Sequence, residues 1–428
     1  MSRTGRFSSA LREFTRKQIE RLASADVVVG IPAYYSDDTI AHVIEQVAEG
    51  LQRHYPELRA LIMIADGGST DDTREVAQNV EEHAYNLEII TTIYRGMPGK
   101  GSAFRAIFET ARFLRARAVA VFDSDLKSIN HAWVRNILDP VFRGYDFVAP
   151  DYSRYKFDGT ITNTIAYNLT RALYGCNIRQ PIGGDFGVSM PLVRYYLEQD
   201  VWETDIARFG VDIWMTTAAI TGGFRICQAR LGAKIHGEKD PAADLGPMFR
   251  EVVGTIFRLM EQNYPFWKKV AATETPPTFG EAVGVEPEAF EINVGQLVDY
   301  FRLGHQNFGG VWKNIIDPED FAVIERLARA EGSDGFDLPV EVWVRIVYRY
   351  ACHCTSAARQ RMKILDTLIP LYNARVASLV TVLKDKTQQE AEEYYDAQAR
   401  VFESMRPYLL ADWERSGAGQ VDGLPAKG

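Results

Sequence analysis

Several features that the sequence lacks limit what the protein can be. Its 428 residues include only four cysteines, too few and too scattered for a disulfide scaffold. No apolar run approaches the ~18 residues that a membrane helix needs, and residues 1–26 lack the apolar core of a secretory signal. We therefore expect a cytoplasmic protein with no integral membrane segment.

A basic excess is also missing. The chain has 57 acidic and 48 basic residues, which gives a formal net charge of −9. Proteins that bind nucleic acid over a broad surface normally carry a basic excess, so we predict no nucleic-acid partner. A small anionic ligand held by a few local cations is compatible with this balance. The hydrophobic share of 46% excludes intrinsic disorder for the bulk of the chain.

The first half of the chain alternates apolar runs with amphipathic segments. Residues 27–31 form a continuous apolar run of the kind typical of buried parallel strands, and further strands are predicted at 61–65, 87–94 and 118–122. A helical pattern follows each of the first three, and Ser36 is predicted to cap the first of these helices. This order predicts an α/β fold with a doubly wound, mostly parallel sheet. Ligands bind beyond the carboxyl ends of such strands, so we expect the chemistry in the segments that follow them.

The chain is predicted to have four parts. These are an N-terminal helix (1–25), a catalytic α/β domain (26–244), a mainly helical C-terminal domain (245–416) and a disordered tail (417–428). The N-terminal helix places Leu11, Phe14, Ile19 and Leu22 on one stripe among basic residues. Such a helix could contact an anionic membrane or a partner subunit, or simply pack on its own fold.

The clearest chemical signal is a pair of carboxylates, Asp123 and Asp125, directly after the fourth apolar run. Carboxylate oxygens at a strand end suit Mg²⁺ or Mn²⁺, which often also hold substrate phosphates. An isolated Asp-x-Asp pair is common and carries little weight. Its position behind a strand strengthens the metal hypothesis.

Two glycine-containing turns follow the second and third runs. In the first, Asp66 and Gly67 precede hydroxyl residues that can cap the next helix, and the N-terminus of such a helix attracts anions. A capped turn between a strand and a helix that binds no ligand would show the same sequence pattern. In the second, Lys100 stands between Gly99 and Gly101. This turn lacks the spacing of a nucleotide-binding P-loop, and a single cation opposite a diphosphate fits it better.

Four segments occur in one order, each after a predicted strand: Val-x-Val-x-Ile-Pro-Ala-Tyr at 27–34, the Asp66 turn, Gly-Lys-Gly at 99–101 and Phe-Asp-Ser-Asp at 122–125. Together they resemble the nucleotide-sugar glycosyltransferases of the GT-A fold, above all the family 2 group, over residues 27–240. The resemblance implies that the first two segments hold the base and ribose of the donor and that the Asp-x-Asp pair carries the metal. The donor-binding residues that it implies are Pro32, Ala33, Tyr34, Asp37, Asp66, Gly67, Gly99, Lys100, Asp123, Ser124, Gly183 and Gly184. Many family 2 enzymes read Pro-Ala-x-Asn-Glu-Glu where this chain reads Pro-Ala-Tyr-Tyr-Ser-Asp, so a ribose-binding carboxylate is displaced or replaced.

Three later motifs resemble the retaining enzymes that make glucosylglycerate, mannosylglycerate and glucosyl-3-phosphoglycerate. They are Gly-Gly-Asp at 183–185, Phe-Gly-Val-Asp at 209–212 and Lys-Ile-His at 234–236. This resemblance implies that His236 joins Asp123 and Asp125 as a metal ligand, and that Asp185, Asp212 and Lys100 act at the reaction centre. Taken alone, Asp212 is equally a helix N-cap and His236 a surface residue. The Gln-x-x-Arg-Trp motif of the processive inverting synthases is absent.

The sequence therefore predicts a metal-dependent retaining transfer of a hexose from a nucleoside-diphosphate sugar to a small carboxylate acceptor, such as D-glycerate or 3-phosphoglycerate. The cofactor is expected to be Mg²⁺ or Mn²⁺, and the protein a possible homodimer. Arg345 and Arg349 share a helix face and are candidates for binding the acceptor. Two alternatives stay open: a family 2 enzyme acting on a lipid or polysaccharide, and a catalytically silent scaffold that senses sugar nucleotides. The intact Asp123 to Asp125 segment and Lys100 argue against the silent scaffold.

Overall fold

The structure, a computed structural model, describes residues 9–83, 87–208, 210–237, 245–282 and 286–418. Parts of the predicted N-terminal helix (1–8), of the catalytic domain (238–244) and of the tail (419–428) lie outside the described residues, as does Phe209 of the motif at 209–212. The strands are β1 (Val27–Ala33), β2 (Ala60–Asp66), β3 (Glu88–Ile93), β4 (Ala118–Val121), β5 (Phe147–Ser153), β6 (Phe186–Ser189), β7 (Ile226–Ala233) and β8 (Thr278–Phe279).

The helices are distributed along the whole chain. They are α1 (Glu13–Leu22), α2 (Ile40–His54), α3 (Thr73–His83), α4 (Lys100–Phe113), α5 (His131–Phe142), α6 (Tyr167–Tyr174), α7 (Met190–Glu198), α8 (Val211–Thr221), α9 (Leu245–Gln262), α10 (Tyr264–Trp267), α11 (Val294–Ile315), α12 (Pro318–Arg329), α13 (Val340–Ser356), α14 (Arg361–Leu383), α15 (Gln388–Ser404) and α16 (Arg406–Arg415). A π-helical turn spans Thr162–Ala166, and short 3₁₀ turns span Asp205–Ala207 and Ala358–Gln360.

The chain folds into two compact units that interleave in sequence. One unit consists of residues 1–154, 178–238 and 275–288, and the other of residues 155–177, 239–274 and 289–428. Our predicted domains, 26–244 and 245–416, are instead continuous stretches with one boundary between them. These boundaries stay a prediction.

The first unit is built around one sheet with the strand order β3-β2-β1-β4-β6-β5-β7-β8. Its strands run parallel except β6, which is antiparallel to both β4 and β5. β2 and β4 are buried at every position because helices cover both faces, as the continuous apolar runs predicted. The predicted α/β fold, with a mostly parallel sheet followed by a helical region, is confirmed.

One local prediction for this unit was wrong. Ser36 does not cap α2, which begins at Ile40 after Thr39 without a side-chain cap. The Ser36 hydroxyl instead lies 2.8 Å from the Ser124 hydroxyl, behind the end of β4. On α1, Ile19 of the predicted stripe is buried together with Thr15, while Phe14 of the same stripe is 72% exposed.

The second unit is helical. Two of its helices, α13 and α14, are separated at residues 357–360. Cys352 and Cys354 are buried on α13. Among the described residues, no helix combines the length and the apolar character needed to cross a membrane.

The two arginines predicted to bind an acceptor already have partners inside the second unit. Arg345 donates from Nε and Nη2 to the two carboxylate oxygens of Asp320, at 2.7 and 2.6 Å. Arg349 donates to Asp412 at 2.6 Å. A fork–fork pair of this kind uses the donors that a substrate carboxylate would need. These two side chains therefore serve the packing of the helices around them.

Candidate active site

The topology of the sheet gathers polar residues at one edge of the first unit. Parallel strands end at the same edge, so residues just after β4 and β7 lie close together. β6 runs the other way and starts at this edge, so the residue before it, Asp185, joins those that follow the other strands. In this way Asp123, Asp185 and Lys234 meet, although they are far apart in sequence.

Two lysines and three aspartates form a connected cluster at this edge. Lys100 Nζ lies 2.6 Å from Asp123 Oδ1 and 3.3 Å from Asp212 Oδ2. Lys234 Nζ lies 2.7 Å from Asp123 Oδ2 and 3.0 Å from Asp185 Oδ2. The backbone N–H of Asp123 donates to Asp185 Oδ1 at 2.7 Å. Asp123 is thus the centre of the cluster, with one lysine on each carboxylate oxygen.

Burial and charge act in opposite directions on these groups. Burial lowers the pKa of both Lys100 and Lys234, but the neighbouring carboxylates more than offset it and the pKa of each lysine is raised. Burial raises the pKa of Asp123, yet the two lysines hold it well below its ordinary value. For Asp185 and Asp212 burial prevails, and their pKa values are raised. Lys100, Lys234 and Asp123 are therefore charged at neutral pH.

The glycines that flank Lys100 are explained by a close backbone crossing. A Cβ on Gly99 would lie 2.6 Å from the Cα of Arg208, and one on Gly101 would lie 2.7 Å from the Cα of Ala207. Gly101 N–H also donates to the Arg208 carbonyl at 3.3 Å. The segment that leads into α8, and so to Asp212, is therefore in direct contact with the turn that carries Lys100.

A second group of predicted residues lies at the ends of β1 and β2. Ala33 pairs with Asp66 across the sheet, and Gly67 N–H donates to the Ala33 carbonyl at 2.8 Å. The Asp66 carboxylate is fully buried and accepts bonds from Gly68 N–H, Ser69 N–H and the Ser69 hydroxyl, at 2.8, 3.0 and 2.6 Å. It holds its own turn in shape. Tyr34, 62% exposed, has its ring beside Gly67.

The remaining predicted residues near this group differ in exposure. Pro32 is partly buried in β1, whereas Asp37 is exposed in the turn after it. Ser124 is buried, and its carbonyl accepts a bond from the Thr39 hydroxyl at 2.8 Å. Ser124 thus fixes the loop after β4 against the start of α2.

Asp125 and His236 lie in two segments that are bonded to each other. Lys127 N–H donates to the Ile235 carbonyl at 2.8 Å, and Ile235 N–H donates to the Ser128 hydroxyl at 2.9 Å. These bonds join the loop after β4 to the loop after β7. The carboxylate of Asp125 and the imidazole of His236 are therefore carried on adjacent loops.

The three predicted metal ligands do not fit a divalent cation equally well. Among the residues that the structure describes, no three His, Cys, Asp or Glu side chains form a group that could hold a metal. Each oxygen of Asp123 contacts a lysine ammonium, so in this arrangement the carboxylate cannot also bind a metal ion. Asp125 and His236 offer one oxygen and one nitrogen donor, a set that suits Mn²⁺ or Mg²⁺ once substrate oxygens complete the shell.

Sequence reasoning missed two members of the cluster. The motif around His236 contains Lys234 without assigning it a role, and no motif in the sequence includes Tyr152. The Tyr152 hydroxyl bonds to the Asp185 carboxylate and lies 3.3 Å from the Gly183 carbonyl. Both residues lie at strand ends: Lys234 follows β7 directly, and Tyr152 is the second-last residue of β5. The rule that located Asp123 would have found them if β5 and β7 had been predicted.

Comparison with known proteins agrees with this geometry. Residues 28–198 match the family described as glycosyl transferase family 2. This stretch, which carries β1 to β6 and the Asp123 loop, is therefore similar to the family that the four motifs predicted.

Individual relatives cover parts of the chain. Glycosyltransferase AglJ of Haloferax volcanii is 31% identical over 164 residues, which is 37% of this chain and 48% of that protein. The chain thus spans about half the length of this curated relative. Among solved structures, glucosyl-3-phosphoglycerate synthase of Mycobacterium tuberculosis with Mn²⁺, UDP and glucosyl-3-phosphoglycerate is 22% identical, covering 58% of this chain and 85% of that one, with a TM-score of 0.43. The same enzyme with Mg²⁺ and UDP is 23% identical over 58% and 84% of the two chains, with a TM-score of 0.42.

Proposed function

We propose that this protein is a metal-dependent retaining glycosyltransferase. It moves a hexose from a nucleoside-diphosphate sugar to a small carboxylate acceptor such as D-glycerate or 3-phosphoglycerate. The family 2 domain supports the reaction class, and the four motifs and three later ones support the donor and acceptor. The cytoplasmic location and the homodimer stay predictions.

One observation carries the proposal. Lys100 is held between Asp123 and Asp212, and the second oxygen of Asp212, Oδ1, is buried without a hydrogen-bond partner. A buried carboxylate oxygen left unpaired is costly, so it marks a place that a ligand hydroxyl or amide would fill. The site thus offers a cation for an anionic leaving group beside an acceptor for a sugar or acceptor hydroxyl.

The residues suggest how transfer with retention proceeds. The bond between the anomeric carbon and the diphosphate oxygen breaks, and the acceptor oxygen bonds to the same face of that carbon. The acceptor proton passes to the departing diphosphate oxygen. Lys100 stabilises the charge that develops there, and Asp212 Oδ1 orients a hydroxyl of the donor sugar or the acceptor. When bound by Asp125 and His236, a divalent cation would supply further neutralisation of the diphosphate.

A screen of purified protein tests the proposal. Nucleoside-diphosphate hexoses are offered together with D-glycerate, 3-phosphoglycerate, oligosaccharides or lipid extracts, with Mg²⁺ or Mn²⁺ present. We expect one of the two glycerates to be glycosylated fastest, with an α-linked product from an α-linked donor in the anomeric proton signal. Turnover confined to the lipid or oligosaccharide acceptors would reject the small carboxylate acceptor. A β-linked product would reject retention.

The metal ligands can be tested separately from the acceptor. Replacing Asp125 or His236 by alanine should weaken Mn²⁺ binding, measured by titration, by about 10- to 100-fold or more. Asp123→Asn should change the Mn²⁺ affinity much less, because both oxygens of Asp123 are bonded to lysines. An unchanged affinity in both alanine variants would contradict the assignment of Asp125 and His236.

A further inference from the structure

The two buried lysines of the site have different bonding. Lys234, whose side chain is 4% exposed, donates to Asp123 Oδ2 at 2.7 Å, to Asp185 Oδ2 at 3.0 Å and to the Gly183 carbonyl at 2.8 Å. An ammonium group has three donor hydrogens, so these acceptors use all of them. Lys234 has no donor left for a substrate.

Lys100 is held more loosely. It has one short contact, 2.6 Å to Asp123 Oδ1, and two long ones, 3.3 Å to Asp212 Oδ2 and 3.5 Å to the Gly184 carbonyl. Long bonds are weak, so Lys100 can turn toward a ligand at little cost. Lys100 is thus suited to contact the diphosphate, whereas Lys234 is suited to hold protein groups in place.

The groups that Lys234 holds come from different parts of the first unit. Asp123 follows β4, and the Gly183 to Asp185 turn precedes the antiparallel strand β6. The charged carboxylate of Asp123 and that of Asp185 share the same ammonium, and Asp185 also bonds to the Asp123 N–H. Without Lys234, both carboxylates lose the donor that they share, and buried oxygens left without a donor are costly. Lys234 therefore keeps the turn against Asp123.

We infer that Lys234 is a positioning residue that fixes the distance between the donor-binding Asp123 loop and the Gly183–Asp185 turn. The expected loss of kcat rests on the proposed function. The statement that Lys234 holds the turn against Asp123 does not. Loss of Lys234 should let the turn move away from Asp123 and so separate the groups that orient donor and acceptor. A shift of about 1 Å at a reacting centre can cost on the order of 10²-fold in rate.

The test combines kinetics with hydrogen exchange of the intact protein. Lys234→Met should lower kcat on the order of 10²-fold with a smaller change in the KM of the donor. It should also speed amide exchange in a peptide covering residues 183–187 while leaving α14 unchanged. Lys234→Arg keeps the positive charge between the two carboxylates, and it should retain at least about ten-fold more kcat than Lys234→Met. Lys17→Met, at an exposed lysine of α1, is the control for a general effect of losing a cation.

The outcomes separate this inference from the proposed function. Faster exchange at 183–187 in Lys234→Met, with no transferase activity in the wild-type protein, would support the positioning role and reject the function. Unchanged exchange and a kcat equal to that of wild type would overturn the positioning role. So would a kcat of Lys234→Arg as low as that of Lys234→Met. If Lys234→Met does not fold, exchange and kcat are measured on Lys234→Gln, with the same expected results.

Discussion

Replacing Lys100 by methionine is expected to lower kcat/KM on the order of 10²- to 10³-fold, the usual cost of removing one preorganised group that stabilises developing charge. The Lys100 side chain is only 14% exposed and lies between Asp123 and Asp212. Methionine keeps the length and the apolar stem but removes the ammonium. Asp123 retains its bond to Lys234, so the fold should persist, and steady-state kinetics together with circular dichroism measures both effects.

The matched control is Lys313→Met, which removes a cation from a lysine that is 61% exposed on α11. It should leave kcat/KM within about two-fold of wild type, since surface substitutions of this kind are nearly neutral. Retained activity in Lys100→Met would show that this lysine does not face the leaving group. A folded variant with normal kcat but a raised donor KM would limit its role to binding.

The first, second and fourth strands could be predicted because each is an apolar run that is buried almost throughout. β3 lies at the edge of the sheet and is fully buried only at Ile90 and Thr92. β5, β6 and β7 give weaker patterns. β6 has only four residues, one of them Gly187, where a Cβ would lie 2.7 Å from the Ile137 carbonyl, and β5 contains Pro150 and Asp151. Such residues interrupt the apolar pattern by which a buried strand is predicted.

The positions of Lys100 and Asp123 followed from their place after predicted strands, whereas Asp185 and Asp212 followed only from the resemblance to the retaining enzymes. The roles of all four stay predictions. What the sequence could not show is how each carboxylate is used. The Asp66 carboxylate accepts three hydrogen bonds within its own turn, and the two oxygens of Asp123 each contact a lysine. Such pairings depend on side-chain directions and on the position of β6, which a linear pattern does not contain.

The second large effect is expected at Gly184. Its φ is +92°. A Cβ at this position would clash with Asp123 Oδ2, and the same Cβ would lie 2.9 Å from Asp123 Cγ and 3.0 Å from Lys100 Nζ. Gly184→Ala should therefore lower kcat on the order of 10²-fold, because Asp123 and Lys100 must move apart to admit one methyl group. Overpacking at this site should also cost about 1–3 kcal/mol of the free energy of unfolding, measured by denaturant titration.

The control separates the clash from the unfavourable backbone conformation. Gly223, between α8 and β7, also has a positive φ, +71°, but a Cβ there would meet nothing within 4 Å. Gly223→Ala should lose about 1–2 kcal/mol from the left-handed conformation and keep its kcat. Gly184→Ala should lose more stability than this and most of its activity. Equal losses of stability in the two variants, with kcat unchanged in both, would show that the contact between Gly184 and Asp123 does not hold the reacting groups in place.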